Sequence, residues 1–96
     1  QIGFRVEAHG WGGVVVKEML PHAPRETRNA IFPGFVITKV GSEGVYFDGA
    51  FDSPPDPGMI FEASVHRREP GEWVEVETLT GGLLNPLRQT IRVQLY

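Results

Sequence analysis

The chain has 96 residues, 41% of them hydrophobic, with a formal charge of −3 and no cysteine. That is enough for one compact domain over residues 1–96 and too little for two. Lack of cysteine excludes a disulfide framework, a thiolate nucleophile and cysteine-ligated zinc, and lack of a basic run excludes the phosphate-neutralising surface that nucleic acid requires.

In chain order, the first predicted element is a strand over residues 2–8. Phe4-Arg5-Val6-Glu7-Ala8 alternates apolar and polar, as a strand with one face on a core does. Just before it, Gly3 stands between Ile2 and Phe4. A residue without a Cβ lets neighbouring backbone N–H groups converge on one point, and such a nest holds an anion such as a chain-terminal carboxylate. Gly10-Trp11-Gly12-Gly13 reads as a turn into a second strand over 14–20, completing a hairpin. That glycine-rich turn joins two strands and opens no helix, so it is no phosphate loop, and no cofactor is expected.

Pro21 and Pro24 end the ladder, and Arg25 to Ala30 fits a short helix. A third strand is predicted over 35–40, closed by Gly41-Ser42-Glu43-Gly44, with Val45 beginning a brief return strand. Residues 47–57, rich in Asp, Gly, Ser and Pro, read as a surface loop. Asp56 is then a helix N-cap with Pro57 at the first helical position, and a helix over 57–69 turns Phe61 and Val65 inward before Pro70-Gly71 stops it. Two strands finish the chain, over 73–78 with Val74 and Val76 inward and over 90–96 with Ile91, Val93 and Leu95 inward. The sum is a β-dominated α+β fold, a small curled antiparallel sheet or partial barrel capped by two helices. Apolar runs are too short to span a bilayer, so no membrane insertion of this segment is expected. The chain opens without Met and already inside a strand pattern, which suggests a piece of a longer protein.

Several segments together resemble PDZ domains. They are the Ile2-Gly3-Phe4 loop, the Val14-Val15-Val16 strand, Pro21-His22-Ala23-Pro24, and Pro33-Gly34-Phe35-Val36-Ile37-Thr38-Lys39-Val40-Gly41-Ser42-Glu43-Gly44-Val45. The helix end Arg67-Arg68-Glu69-Pro70-Gly71, followed by an alternating strand, Gly81-Gly82 and a last strand, is similar to bacterial PDZ domains of the HtrA-type proteases, in which the last strand occupies the place of the first strand of animal PDZ domains. Phe35 stands where the family usually has Asp, and the 47–57 loop is longer than usual.

The resemblance implies a non-catalytic module that captures a protein or peptide C-terminal tail by strand addition between strand 2–8 and helix 57–69, and so recruits substrate to, or regulates, a parent serine protease. The backbone of Gln1, Ile2, Gly3 and Phe4 would hold the tail carboxylate, and Ile2, Phe4 and Val6 would wall a pocket for the last side chain. Counting back from Gly71 places Ile60, Ser64 and Arg67 toward the groove, with Ile60 favouring an apolar residue two before the tail's end. Arg67 either lines the pocket with its methylene stem or attracts the carboxylate. A periplasmic or extracytoplasmic location follows from the same resemblance. The alternative is an architectural domain for assembly or scaffolding, its groove covered by the 47–57 loop through Phe47 and Phe51.

Intrinsic catalysis has little support. His9, His22 and His66 are far apart with no metal-ligand spacing, and no nucleophile elbow singles out Ser42 or Ser64 as a partner for His66 and Asp48. Trp11 and Trp73 read as packing or rim residues, with sugar binding a distant alternative.

Overall fold

A computed structural model describes residues 1–9, 13–45, 56–81 and 85–96. In chain order the elements are β1 (Phe4–Ala8), β2 (Val14–Met19), α1 (Arg25–Ala30), β3 (Val36–Val40), β4 (Glu43–Gly44), α2 (Pro57–His66), β5 (Trp73–Thr80) and β6 (Leu87–Gln94). The strands form one antiparallel sheet in the order β1-β2-β3-β5-β6, with β4 paired to β3. This is a small β-dominated α+β fold of six strands and two helices.

The sheet's two edge strands are β1 and β6, and they approach each other at one end. The amino group of Gln1 donates to the Tyr96 carbonyl at 2.8 Å, and the Tyr96 amide donates to the Gln1 carbonyl at 2.9 Å. This exchange curls the sheet around its core. Irregularities add to the curl, because an extra residue on one strand increases local twist. The β1–β2 register slips between Arg5 and Val6, and the β3–β5 register slips between Ile37 and Lys39. At the second slip Thr38 donates its hydroxyl to the Glu77 carboxylate at 2.7 Å.

The concave side is filled by Val14, Val16, Ile37, Val40, Val76 and Val93 from the strands and Phe61 and Val65 from α2, all buried. α1 packs against β6, and α2 lies against β1, β2 and β3. The α2 N-terminus forms as its sequence requires. Asp56 Oδ1 accepts from the Gly58 amide at 3.1 Å, and Pro57 occupies the first turn, where a missing N–H costs nothing.

The other end of α2 corrects the expected 57–69 span. The helix stops at His66, with Arg67 as its C-cap. Its last turn tightens, the Arg68 amide bonding to the Val65 carbonyl three residues back, and a residue before proline resists helical geometry, which drives Glu69 out of the helix ahead of Pro70. The brief return strand also begins earlier than expected, at Glu43, with the Val45 amide continuing the pairing to the Thr38 carbonyl at 3.0 Å. β5 and β6 are longer in their hairpin than the 73–78 and 90–96 expectations, running to Thr80 and starting at Leu87, while β6 ends at Gln94 short of 96 and the expected 2–8 strand begins at Phe4, after the left-handed Gly3. The expected 10–13 turn and 47–57 loop lie outside the described residues except for Gly13, Asp56 and Pro57.

Candidate functional site

β1 pairs with β2 along one side, and no described strand pairs with its other side. An unpaired strand edge presents a row of backbone donors and acceptors to any extended chain that reaches it. The segment leading into this edge is bent at Gly3, whose φ of +89° lies in the left-handed region. A Cβ at that position would also sit 3.0 Å from Ala23 Cβ, so conformation and space both call for glycine here.

Ile2 and Phe4 are 4% and 3% exposed and belong to the core, while Val6 is half-buried against it. The Gly3 carbonyl accepts from the Leu20 amide at 2.9 Å. The amides of Ile2 and Gly3, by contrast, find no intramolecular acceptor among the described residues. Two consecutive amides with no intramolecular acceptor among the described residues, beside a left-handed glycine, are both able to donate to an acceptor from outside the chain.

On α2, Phe61 turns toward β1, its ring centroid 6.0 Å from that of Phe4. Ile60 is half-buried on the edge of the same cluster. Ser64 and Arg67, expected beside Ile60 along the groove, are brought together on Glu43 of β4 instead. Ser64 is 1% exposed and its hydroxyl donates to Glu43 Oε2 at 3.1 Å, while the Arg67 guanidinium pairs with the same carboxylate. Because residues three and four apart share a helix face, the Ile60, Ser64 and Arg67 flank is the one that meets β4. Gly58 and Glu62 then fall on the flank across the Phe61–Val65 line. Sequence reasoning missed Glu43, and nothing local ties this turn residue to a serine 21 positions later.

The Arg67 guanidinium beside Glu43 holds its carboxyl below the ordinary 4.5, with the Ser64 hydroxyl and the Arg68 charge acting in the same sense against partial desolvation. A carboxyl with a depressed folded-state pKa stabilises the fold above its unfolded pKa and loses that contribution as the pH falls through the folded value. Glu43→Gln is therefore expected to lower the urea midpoint near neutral pH, with the gap to the parent chain closing as the pH drops below 4.5. A gap that stayed constant from neutral down to about pH 3 would remove the Glu43 charge from the account.

Among the described residues the serines and histidines are not assembled into a relay. Ser64 is committed to Glu43, Ser42 is exposed in the β3–β4 turn, and His66 stands 3.8 Å from Glu62 on the exposed face of α2. Asp48 and Trp11 lie outside the described residues. Among the described residues no group of three His, Asp or Glu side chains is placed to hold a metal ion, and no helix is long and apolar enough to cross a membrane. A scan against protein-family models, a search of curated proteins and a search of solved structures each return no match.

Proposed function

We propose that this chain is a PDZ-like peptide-binding domain that captures the carboxyl-terminal tail of a protein by adding it as a strand along β1. The observation that carries this reading is the pair of amides at Ile2 and Gly3 with no acceptor among the described residues, set beside an edge strand with an open side. A carboxylate accepts from consecutive backbone N–H groups better than a neutral carbonyl does, because charge-assisted hydrogen bonds are shorter and stronger. In this reading Gln1 to Phe4 form the carboxylate loop, and half-buried Val6 on β1 and the Gly58 and Glu62 flank of α2 border the path of an apolar-ended tail, whereas Ile60 lies on the β4 flank with Ser64 and Arg67. Ser64 and Arg67 act through Glu43, fixing the helix that borders this path. Recruitment of substrates to a parent protease, or its regulation, is the role such capture would serve.

Titration of apolar-ended peptides with free and amidated carboxyl termini tests the reading. The free acid is expected to bind at least about tenfold more tightly, since hydrogen bonds to a charged group contribute roughly 1.5–3 kcal/mol. Equal affinity for the two forms would sink the carboxylate loop and favour an architectural role with a closed groove.

A further inference from the structure

The chain is acidic overall, with a formal charge of −3, yet it leaves two guanidinium groups without a carboxylate in the same place. Arg5, Arg67 and Arg88 each sit on a glutamate, respectively Glu18, Glu43 and Glu77, and Arg28 donates to the Leu20 and Pro21 carbonyls. Among the described residues Arg25, Arg68 and Arg92 form no ion pair, and of these Arg68 and Arg92 line one open depression of about 530 Å³ with Ser42, Trp73 and Glu75. Glu75 lies across the β5–β6 ladder from Arg92 without forming an ion pair among the described residues, so the charge of the described lining is one positive unit.

Neither guanidinium is loose. Arg68 lies over the backbone of Gly41, so close that a Cβ there would come within 2.5 Å of its Nη2, and its Nε is buried with no hydrogen-bond acceptor. Arg92 stacks on Trp73, its Cζ 5.2 Å from the ring centroid. Glu43, whose charge also acts on Arg68, is already held by Arg67 and Ser64. Two packed cations of this kind are preorganised donors, and the planar guanidinium fork matches a carboxylate. Trp73, 44% exposed, adds an apolar wall.

We propose that this depression is a second binding site, which takes a carboxylate side chain next to an aromatic residue in an acidic peptide segment of a partner protein. It goes beyond the tail-capture reading, because its described lining shares no residue with the Gln1–Phe4 loop or with β1. Its openness and its exposed indole suit a side chain delivered on a chain better than a free small anion, which would leave the apolar wall uncovered.

The test uses an acetylated and carboxyl-amidated peptide carrying Asp-Glu beside Phe, so that no chain-terminal carboxylate is present for the β1 loop. Added to the 96-residue chain in an amide and indole NMR titration, it is expected to shift Ser42, Arg68, Arg92 and the Trp73 indole while leaving residues 2–6 unmoved. Its Asn-Gln counterpart is expected to bind about fivefold more weakly or worse, and added salt to weaken the acidic peptide. Arg92→Gln, on an exposed edge-strand position, is expected to cost a similar factor with unchanged circular dichroism; Arg68→Gln is the second variant. Equal affinity for the acidic and amide peptides, or full affinity in both variants, would overturn the site. So would shifts confined to the β1 loop. Inorganic phosphate shifting these resonances where the peptide does not would overturn its assignment to a protein segment.

Discussion

Phe61→Ala is expected to lose roughly 3–5 kcal/mol of stability, the usual cost of emptying a buried phenylalanine site. Phe61 is fully buried and joins α2 to the sheet through Phe4, with ring centroids 6.0 Å apart and planes tilted by 39°. The cavity left behind cannot collapse easily, because Val14, Val16 and Val65 belong to the same buried cluster and β2, which carries two of them, is fixed by its ladders to β1 and β3. Domains of this size have a total stability of only about 5–15 kcal/mol, so the melting midpoint should fall by something on the order of 15–30 °C. Met59→Ala, two residues earlier on the same helix but 70% exposed, is the control. It should change stability by less than about 0.5 kcal/mol. Thermal and urea unfolding of both variants checks the pair, and a loss at Phe61 below about 1 kcal/mol would mean that α2 is not docked as described.

Gly13→Ala is expected to cost roughly 2–5 kcal/mol. Two penalties coincide there. Gly13 has φ of +77°, and an added Cβ would lie 2.5 Å from the Ile37 carbonyl oxygen. That neighbour is backbone of β3 and has no rotamer through which to yield. Relief requires β2 and β3 to separate at a short seam, in which Val14 and Val15 are paired with Ile37 and Val36 and Val16 bonds to Phe35 and Gly34. Gly34→Ala isolates the conformational part, because Gly34 has φ of +97° with nothing within 4 Å of an added Cβ. Its cost should be about 1–2 kcal/mol. Urea unfolding of the two variants decides the matter, with hydrogen exchange at Val16 reporting on the β2–β3 seam. Equal losses would show that backbone conformation alone sets the cost and that the close approach to Ile37 is unimportant.

Legibility in the sequence varied with the kind of signal. Where one residue type has one strong local preference, the reading and the structure coincide. α1 occupies Arg25–Ala30 as expected after Pro24, and Asp56 caps α2. Alternation in Val74-Glu75-Val76 and the four-residue spacing of Phe61 and Val65 correctly identified buried positions, since one side of each element is removed from water. The extension of β6 back to Leu87 carried no such mark. Leu87, Arg88, Gln89 and Thr90 are all exposed, and their strand geometry comes from pairing with β5 rather than from burial.

The candidate site divides in the same way. Gly3 beside the first alternating strand was legible, because a glycine before a strand constrains local backbone and little else. The helix side was not. Ser64 reads as a polar groove residue from its spacing, yet it is buried, and the Glu43 carboxylate reaching across from β4, with the Arg67 guanidinium donating to the serine hydroxyl, makes that burial tolerable.

Taken by itself, the sequence determined the element types, the two helix starts, the main buried faces and the glycine-bearing approach to β1, all of which depend on backbone sterics and hydrophobic period within a few residues. Only the tertiary structure decided that the amides of Ile2 and Gly3 lack partners among the described residues, that Ser64 and Arg67 turn to Glu43, and that Arg68 and Arg92 share one depression. Those outcomes depend on whether a second group, tens of residues away, arrives to satisfy or to leave unsatisfied a polar atom, and no local periodicity encodes that arrival.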